Sequence, residues 1–369
     1  MLELREEDFR AFFDVPFRVY GDSSPYVSPM KADVERFLRA DANPLFLHAG
    51  ARRVLTVHRD GEPIGRIVAH VHHASNRRHG WRRGYFGFFD CADDHEAAGM
   101  LLGEAEAFAR AQGCDEVMGN FNLTAMQQVG VVTEGFDAVP YTDQHYNPPH
   151  IPRLLEAHGY APEFPMRTWE VDLRRLDPGV LLGDSARERL VDPSLRWETL
   201  RAKDFGRILE EIRVVLNDGF DRNPMFVPLT SEEMSFQAKD MAMILDPRIT
   251  ALVHDAQGPV GTIVCIPDLN PLLRATRSRI GLTTPFHFLR FRLRRRRAVI
   301  VFYSVAGRMQ GRGLNAAMLH RVTTALKAAG YTHLGITWIA DVNQASLRQV
   351  QKMGARELHR LHVFRKALA

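Results

Sequence analysis

GRMQGRGL, Gly307 to Leu314, lies between the apolar run AVIVFYSV (Ala298–Val305) and the periodic segment NAAMLHRVTTALKAAG (Asn315–Gly330). A strand, a turn carrying two glycines among arginines, and a helix form one kind of phosphate cradle. They also form an ordinary strand-to-helix turn. The first N–H groups of a helix have no intrahelical partner, and the aligned peptides place about half a positive charge there, so a helix start attracts phosphate. Gly311 and Gly313 let backbone approach a ligand without a Cβ in the way, and Arg308 and Arg312 add charge. Short glycine motifs recur by chance, so the context has to decide.

That context is a chain that reads twice. Its 369 residues are long for one core and favour two domains. In the first half a strand at about Arg52 to His58, the turn RDGEP, the strand IGRIVAHV and the strand GYFGFFD precede a helix, AAGMLLGEAEAFARAQG, and a short strand, DEVMGNF. The second half repeats the order with ITALVHD, AQGP, VGTIVCI, AVIVFYSV, LNAAMLHRVTTALKAAG and THLGITWI. Met100, Leu101, Ala105 and Phe108 keep the same helical spacing as Ala317, Met318, Val322 and Ala325, and each helix stops at a glycine, Gly113 or Gly330. Each half then offers a short helix opened by asparagine, NPPHIPRLLEAHGY or NQASLRQVQKMGA, and a last strand, TWEVDL or LHVFRKAL. The expected division is a first domain over 1–178, a polar linker over 179–194 with two prolines nearby, and a second domain over 195–369. An insertion at about 270–297 has no counterpart in the first half.

With its motif after the fourth strand of the unit, the second half resembles the acetyltransferases related to Gcn5, the GNAT superfamily. Arg308, Gly311 and Gly313 fit that family's cofactor motif, and Asn343 with Gly354 fits its second pattern, an asparagine opening a helix that ends at glycine. The whole chain resembles bacterial proteins made of two such folds in tandem. The resemblance implies an α+β fold, each copy a mixed, mostly antiparallel sheet flanked by helices. It implies an acyl-CoA donor, acetyl-CoA in the first instance, with the pyrophosphate across Met309, Gln310, Gly311, Arg312, Gly313 and Leu314. Ser304 and Val305 would meet the amide-bearing arm where two strands splay apart, and Asn343 completes the set. The corresponding stretch of the first half is CADDHE, Cys91 to Glu96, whose acids complement a helix start themselves and repel phosphate. That copy is expected to be a degenerate one.

Acyl transfer to nitrogen requires a free electron pair on the amine, a site for the oxyanion and a proton for the leaving sulfur. Asp341, in TWIADVN, is the candidate base; its competing role, shared with Asn343, is to cap the next helix. The family often carries a tyrosine seven residues after the asparagine as the acid, and here that position is Val350. Tyr303 and Ser346 are the substitutes, each with a packing or capping alternative. The reading is an N-acyltransferase acting on an amine of a small molecule. Transfer from an acyl carrier protein and a noncatalytic acyl-CoA-binding module stay open beside it.

The remaining clusters invite plainer readings. HVHHASNRRHG, His70 to Gly80, offers histidines without a nearby carboxylate, so no metal is expected. PYTDQHYNPPH, Pro140 to His150, reads as a surface loop or as a wall of an acceptor pocket, and GFDRNPMFVPLTSEEM, Gly219 to Met234, falls where the family often binds acceptor. FHFLRFRLRRRR, Phe286 to Arg297, reads as a solvated hairpin, as a docking patch for an acidic carrier protein through Arg292, Arg294, Arg295, Arg296 and Arg297, or as a strip contacting membrane or nucleic acid nonspecifically. Hydrophobic residues are 45% of the chain and charged residues 25%, which excludes a disordered or fibrous protein. The net charge of +4 is mild. Cys91, Cys114 and Cys265 form no CxxC pair and are expected to be reduced. The start, MLELREEDFRAFF, carries acids where an export signal places bases, and no run reaches the roughly 20 apolar residues of a membrane span, so a cytoplasmic protein is expected.

Overall fold

The computed structural model describes residues 1–47, 51–198, 200–239 and 244–368. The chain forms two units. One comprises Met1–Arg167, Leu272–Thr284 and Leu358–Ala369; the other comprises Thr168–Pro271 and Pro285–Glu357. This division departs from the expected boundaries at 178 and 195, because the halves exchange their ends.

Unit 1 opens with β1 (Leu2–Glu6), α1 (Phe9–Val19), α2 (Lys31–Leu38) and α3 (Pro44–Leu47). β2 (Arg52–Arg59), β3 (Glu62–His70), α4 (His73–His79), β4 (Arg83–Cys91), α5 (His95–Ala111), β5 (Glu116–Gly119), β6 (Val131–Glu134) and α6 (His150–Ala157) follow. β1 to β4 are antiparallel neighbours and β4 pairs with β5 in parallel. Next to β5 runs the chain's last strand, β13 (Arg356–Ala367), antiparallel to it from Phe364↔Gly119 to Ala367↔Glu116. Alternation along the strands supplies two apolar faces. Leu55, Ile67 and Ala69 join Leu101, Ala105 and Phe108 of α5 in one core, while Val54, Val68 and Phe88 meet Phe12 and Phe13 of α1 in another. Part of the insertion also belongs to unit 1. Ser278 accepts from Lys31 N at 2.8 Å through its carbonyl and donates its hydroxyl to Ser28 O at 2.6 Å.

The strand β7 (Ala161–Asp172) lends its first half to unit 1 and its second to unit 2. Unit 2 continues with α7 (Asp184–Val191), β8 (Arg196–Glu198), α8 (Phe205–Gly219), α9 (Ser231–Gln237), β9 (Ala251–Asp255) and β10 (Gly258–Pro267) and, after α10 (Asn270–Thr276), most of which belongs to unit 1, with α11 (Thr284–Arg294), β11 (Arg297–Val305), α12 (Leu314–Ala328), β12 (His333–Ala340) and α13 (Gln344–Lys352). β8 to β11 pair antiparallel in sequence order and β11 pairs with β12 in parallel, repeating the topology of unit 1. The repeated pattern of the two halves is thus a repeated fold. α12 buries Leu314, Met318, Val322 and Leu326 in a core with Val260, Ile263, Ala298 and Ile300. The expected linker is ordered: Ala186 of α7 packs on Ala316 and Ala317. The insertion is the pair α10 and α11, not a hairpin. Both expected C-caps hold, Gly113 at φ 74° and Gly330 at φ 84°.

Candidate acyl-donor site

In unit 2 the pairing of β11 with β12 stops at Ile300↔Ile336. A bulge sits at that point: Cys265 pairs with Ile300 and Val264 with Phe302, leaving Val301 unmatched. A bulge adds twist to its strand and ends pairing on one side. Past it β11 stays with β10 as far as Val305 while β12 continues to Ala340 without pairing to β11. The two strands therefore splay, and the edge of β11 from Val301 onward faces no strand on that side.

The splay leads to the loop quoted first. Gly311 and Gly313 both adopt left-handed conformations, φ 73° and 84°, and Gly313 is the N-cap of α12 with no side chain bonded across the helix start. The N–H groups of Gly311, Arg312, Gly313, Leu314 and Asn315 donate to no group among the described residues. A Cβ at Gly311 would meet nothing within 4 Å, so this side of the loop is open. Arg312 is exposed beside it. Five donors without a partner among the described residues, a helix start and an exposed cation fit a pyrophosphate.

Other expected roles change. Arg308 does not stand free: its guanidinium donates to both carboxylate oxygens of Asp255 at 3.0 Å and holds that carboxyl below the usual carboxylate range. Gly313 is a glycine because of its own chain. A Cβ there would come within 2.6 Å of the Ser185 backbone, so the absence of a side chain lets the loop pack against α7. The Val305 carbonyl already accepts one hydrogen bond, from Gln310 Nε2 at 3.0 Å. Ser304 is buried and its hydroxyl donates to Val215 O at 3.1 Å. Met309 is buried under the loop and Leu314 within the core, so neither side chain is exposed to a ligand.

Two residues that sequence reasoning missed shape this corner. Asp218, near the end of α8, accepts from Gly307 N at 2.9 Å and fixes the entry to the loop. Gly219 lets α8 end against β11, because a Cβ there would fall inside contact distance of Ser304 Oγ and Val305 O. An acid–glycine pair at a helix end is too common to signal this.

The candidate catalytic groups separate. Asn343 caps α13, its Oδ1 accepting from Ser346 N at 3.1 Å, so Asp341 is not the cap. Asp341 follows the last residue of β12, the other wall of the splay, and its carbonyl accepts from Gln344 Nε2 at 2.7 Å. Tyr303 donates its phenol proton to Asn315 O at 2.9 Å, and burial pushes its pKa well above the ordinary value. That ties it to the first turn of α12. Val350 lies in the core of unit 2. The acceptor-loop candidate after α8 is drawn back onto the helix by Asn217, which bonds both N and O of Leu229 at 2.8 and 2.9 Å.

The corresponding places in unit 1 are filled. Asp94 caps α5, accepting from Glu96 N and Ala97 N at 3.1 Å, and Arg59 donates to its other oxygen. Parallel pairing of β4 and β5 ends at Tyr85↔Met118, and the gap beyond is closed by the following residues. Asn122 Oδ1 accepts from Phe88 N at 2.6 Å, Asn120 Oδ1 from Phe89 N at 3.2 Å, and Phe121 N donates to Phe86 O. PYTDQHYNPPH is neither surface loop nor open pocket: Tyr141, Gln144, His145 and Asn147 are buried. The histidine cluster is structural. His70 bonds Phe121 O, His72 caps α4, and burial lowers their pKa values to about 3 and about 4. Among the described residues Glu198, Glu211 and His254 have metal-like spacing, but Arg207 already donates to both carboxylates.

The basic run is also resolved. It is α11 followed by the start of β11, and two of the five arginines expected at a carrier patch are used inside unit 2. Arg295 pairs with Asp246 at 3.3 Å and Arg297 with Asp268 at 3.0 Å, leaving Arg292, Arg294 and Arg296 exposed.

No protein-family profile matches the chain. Among solved structures, a tandem GNAT protein from the clavulanic acid biosynthesis pathway superposes with a TM-score of 0.59 at 13% identity, covering 100% of this chain and 98% of that one. A GCN5-related N-acetyltransferase from Sphaerobacter thermophilus gives 0.56 at 15%, over 99% and 95%. The chain carries a tandem GNAT fold. In sequence, protein YghO of Escherichia coli (strain K12) is 25% identical over 377 residues, 99% of this chain and 94% of its own. The bacterial ceramide synthase of Caulobacter vibrioides is 25% identical over 374 residues, 98% and 95%. Among the described residues no helix is long and apolar enough to cross a membrane.

Proposed function

We propose that the protein is an N-acyltransferase that takes an acyl group from a coenzyme A thioester in unit 2 and transfers it to an amine. The observation that carries this reading is the open splay beyond Ile300 and Ile336 running into five unbonded N–H groups at the start of α12. A pantetheine arm needs a strand edge and a pyrophosphate needs a helix start, and unit 2 presents both in succession.

In the reaction the amine nitrogen attacks the thioester carbonyl carbon, the C–N bond forms, the C–S bond breaks, and the thiolate of coenzyme A departs. The amine must first be neutral, and Asp341, at the end of β12, is the base we assign to take its proton directly or through water. A thiol with a pKa of about 8.5 leaves without obligatory protonation, so the loss of a tyrosine at Val350 is compatible with turnover. Tyr303 and Ser346 are the groups we assign to return a proton. Tyr303 would have to give up its bond to Asn315 to do so.

The acceptor is the finer part of the proposal. A ceramide is the amide of a long-chain amino alcohol, so full-length similarity to a bacterial ceramide synthase puts that class of amine first. The test is release of free thiol from acetyl-CoA and long-chain acyl-CoA against a panel of polyamines, amino sugars, amino acids and long-chain amino alcohols. Thiol release that depends on an amine, highest for the amino alcohol, is expected. Binding of coenzyme A without thiol release for any amine would make the protein a binding module.

A further inference from the structure

We propose that helix α11 is a docking surface for an anionic lipid bilayer, with Phe286, Leu289 and Leu293 entering the interface and Arg290, Arg292 and Arg294 binding the headgroups. The helix buries none of its residues. Phe286, Leu289 and Leu293 are 66%, 58% and 78% exposed, and their spacing of three and four places them within about 60° of one another on the helix. Phe288 and Phe291, with ring centroids 6.4 Å apart, occupy the better-covered side. The apolar stripe therefore faces outward, opposite to the usual arrangement for a soluble amphipathic helix.

Arginines flank this stripe on both sides. At helical spacing Arg290 and Arg294 fall on one side of it and Arg292 on the other, and all three are exposed. No aspartate or glutamate stands anywhere between Asp268 and Asp341, so the nearby chain supplies no competing carboxylate. The next arginines, Arg295 and Arg297, are held by Asp246 and Asp268 and anchor the helix end in unit 2. Three protruding apolar side chains bordered by long cationic ones match an anionic bilayer, where the apolar groups reach the acyl boundary and the guanidinium groups remain at phosphate level. A globular acidic partner such as a carrier protein would need a pocket for each protruding side chain; a bilayer needs none.

Vesicle binding requires no acyl transfer, so its test is separate from the catalytic one. The full chain is sedimented with vesicles of phosphatidylcholine alone and with vesicles of an equal mixture of phosphatidylcholine and phosphatidylglycerol. Affinity for the mixed vesicles is expected to be at least about tenfold higher. The triple variant Phe286→Ser, Leu289→Ser, Leu293→Ser should lose about tenfold or more of that binding, and Arg290→Glu, Arg292→Glu, Arg294→Glu should lose all of it. Leu289→Trp should add fluorescence that shifts to the blue on mixed vesicles. Failure to bind mixed vesicles overturns the proposal, as does a triple serine variant that binds like the parent, which would mean charge adsorption alone. Capture of an acidic acyl carrier protein without vesicle binding would assign the surface to a protein. The substituted residues are exposed, and a melting curve for each variant checks its fold.

Discussion

The two units build the same splayed pair of strands and put different things in it. In unit 1 the chain turns back into its own gap: Asn120 and Asn122 supply carbonyl oxygens to Phe89 N and Phe88 N, and Asp94 supplies a carboxylate to the helix start. In unit 2 the equivalent strand edge and helix start are left without those partners: the N-cap position that Asp94 fills in the first copy is Gly313, which has no side chain to bond across the helix start, and the loop is open at Gly311. Backbone donors must be paired when buried and attract anions when exposed. On the proposed function, one fold serves as a scaffold or as a donor site according to whether three polar side chains reach back.

The largest effect expected from testing this contrast lies in catalysis. Asp341→Asn should lower kcat by about 10²–10⁴ in the thiol-release assay while leaving the Kd for coenzyme A unchanged. A matched loss in Kd would instead make Asp341 part of donor binding. Next comes the cradle. Gly311→Asp puts a negative charge into the loop of unit 2, where no neighbour within 4 Å blocks the side chain, so coenzyme A binding should weaken about a hundredfold; the left-handed backbone at φ 73° strains the substitution, and a melting curve separates that cost from the loss of binding. Asn122→Ala should do the reverse. It orphans Phe88 N in a buried strand and should cost unit 1 about 1–3 kcal/mol in urea unfolding, with binding of coenzyme A untouched.

The smallest effect is a pH dependence confined to unit 1. His70, His72 and His145 are buried with pKa values lowered to about 3, about 4 and about 4 from 6.5, so between 6.5 and 4 the unfolded chain binds protons that the native unit refuses. Their contribution is complete above 6.5 and is lost as the pH falls. Asp143 opposes them: burial raises its carboxyl to about 7, so its contribution is complete below 3.8 and is lost as the pH rises through 7. Three groups outweigh one, and the urea midpoint of unit 1 should climb from about pH 4 to about pH 6.5. Asp143→Asn should stabilise the unit at neutral pH, and Asn tolerates the left-handed backbone there, φ 69°.

The order of elements was legible because helices and strands differ in apolar period, and that signal survives in a chain met alone. The splay was legible only through resemblance. Its partner in unit 1 was not seen, although Asn120 and Asn122 in the run GNFN are polar residues beside a buried strand, a pattern that calls for bonded amides. The ownership of the last strands was hidden for a different reason. TWEVDL and LHVFRKAL have the same alternation, and alternation tells which face is buried but not which strand lies alongside. Arg308 was misjudged because its partner, Asp255, is far along the chain and brought near by the β9 to β10 turn. Residues 272–284 joined unit 1 through Ser278 and Arg279, whose partners Ser28, Lys31 and Asp14 likewise carry no local signal.

The most direct test of the contrast is the stoichiometry of coenzyme A binding by calorimetry on the full chain, run on the parent and on Gly311→Asp and Asn122→Ala. One molecule per chain, lost with Gly311→Asp and kept with Asn122→Ala, is the predicted result. Two molecules per chain, none, or binding that survives Gly311→Asp and disappears with Asn122→Ala would contradict the assignment of the donor site to unit 2.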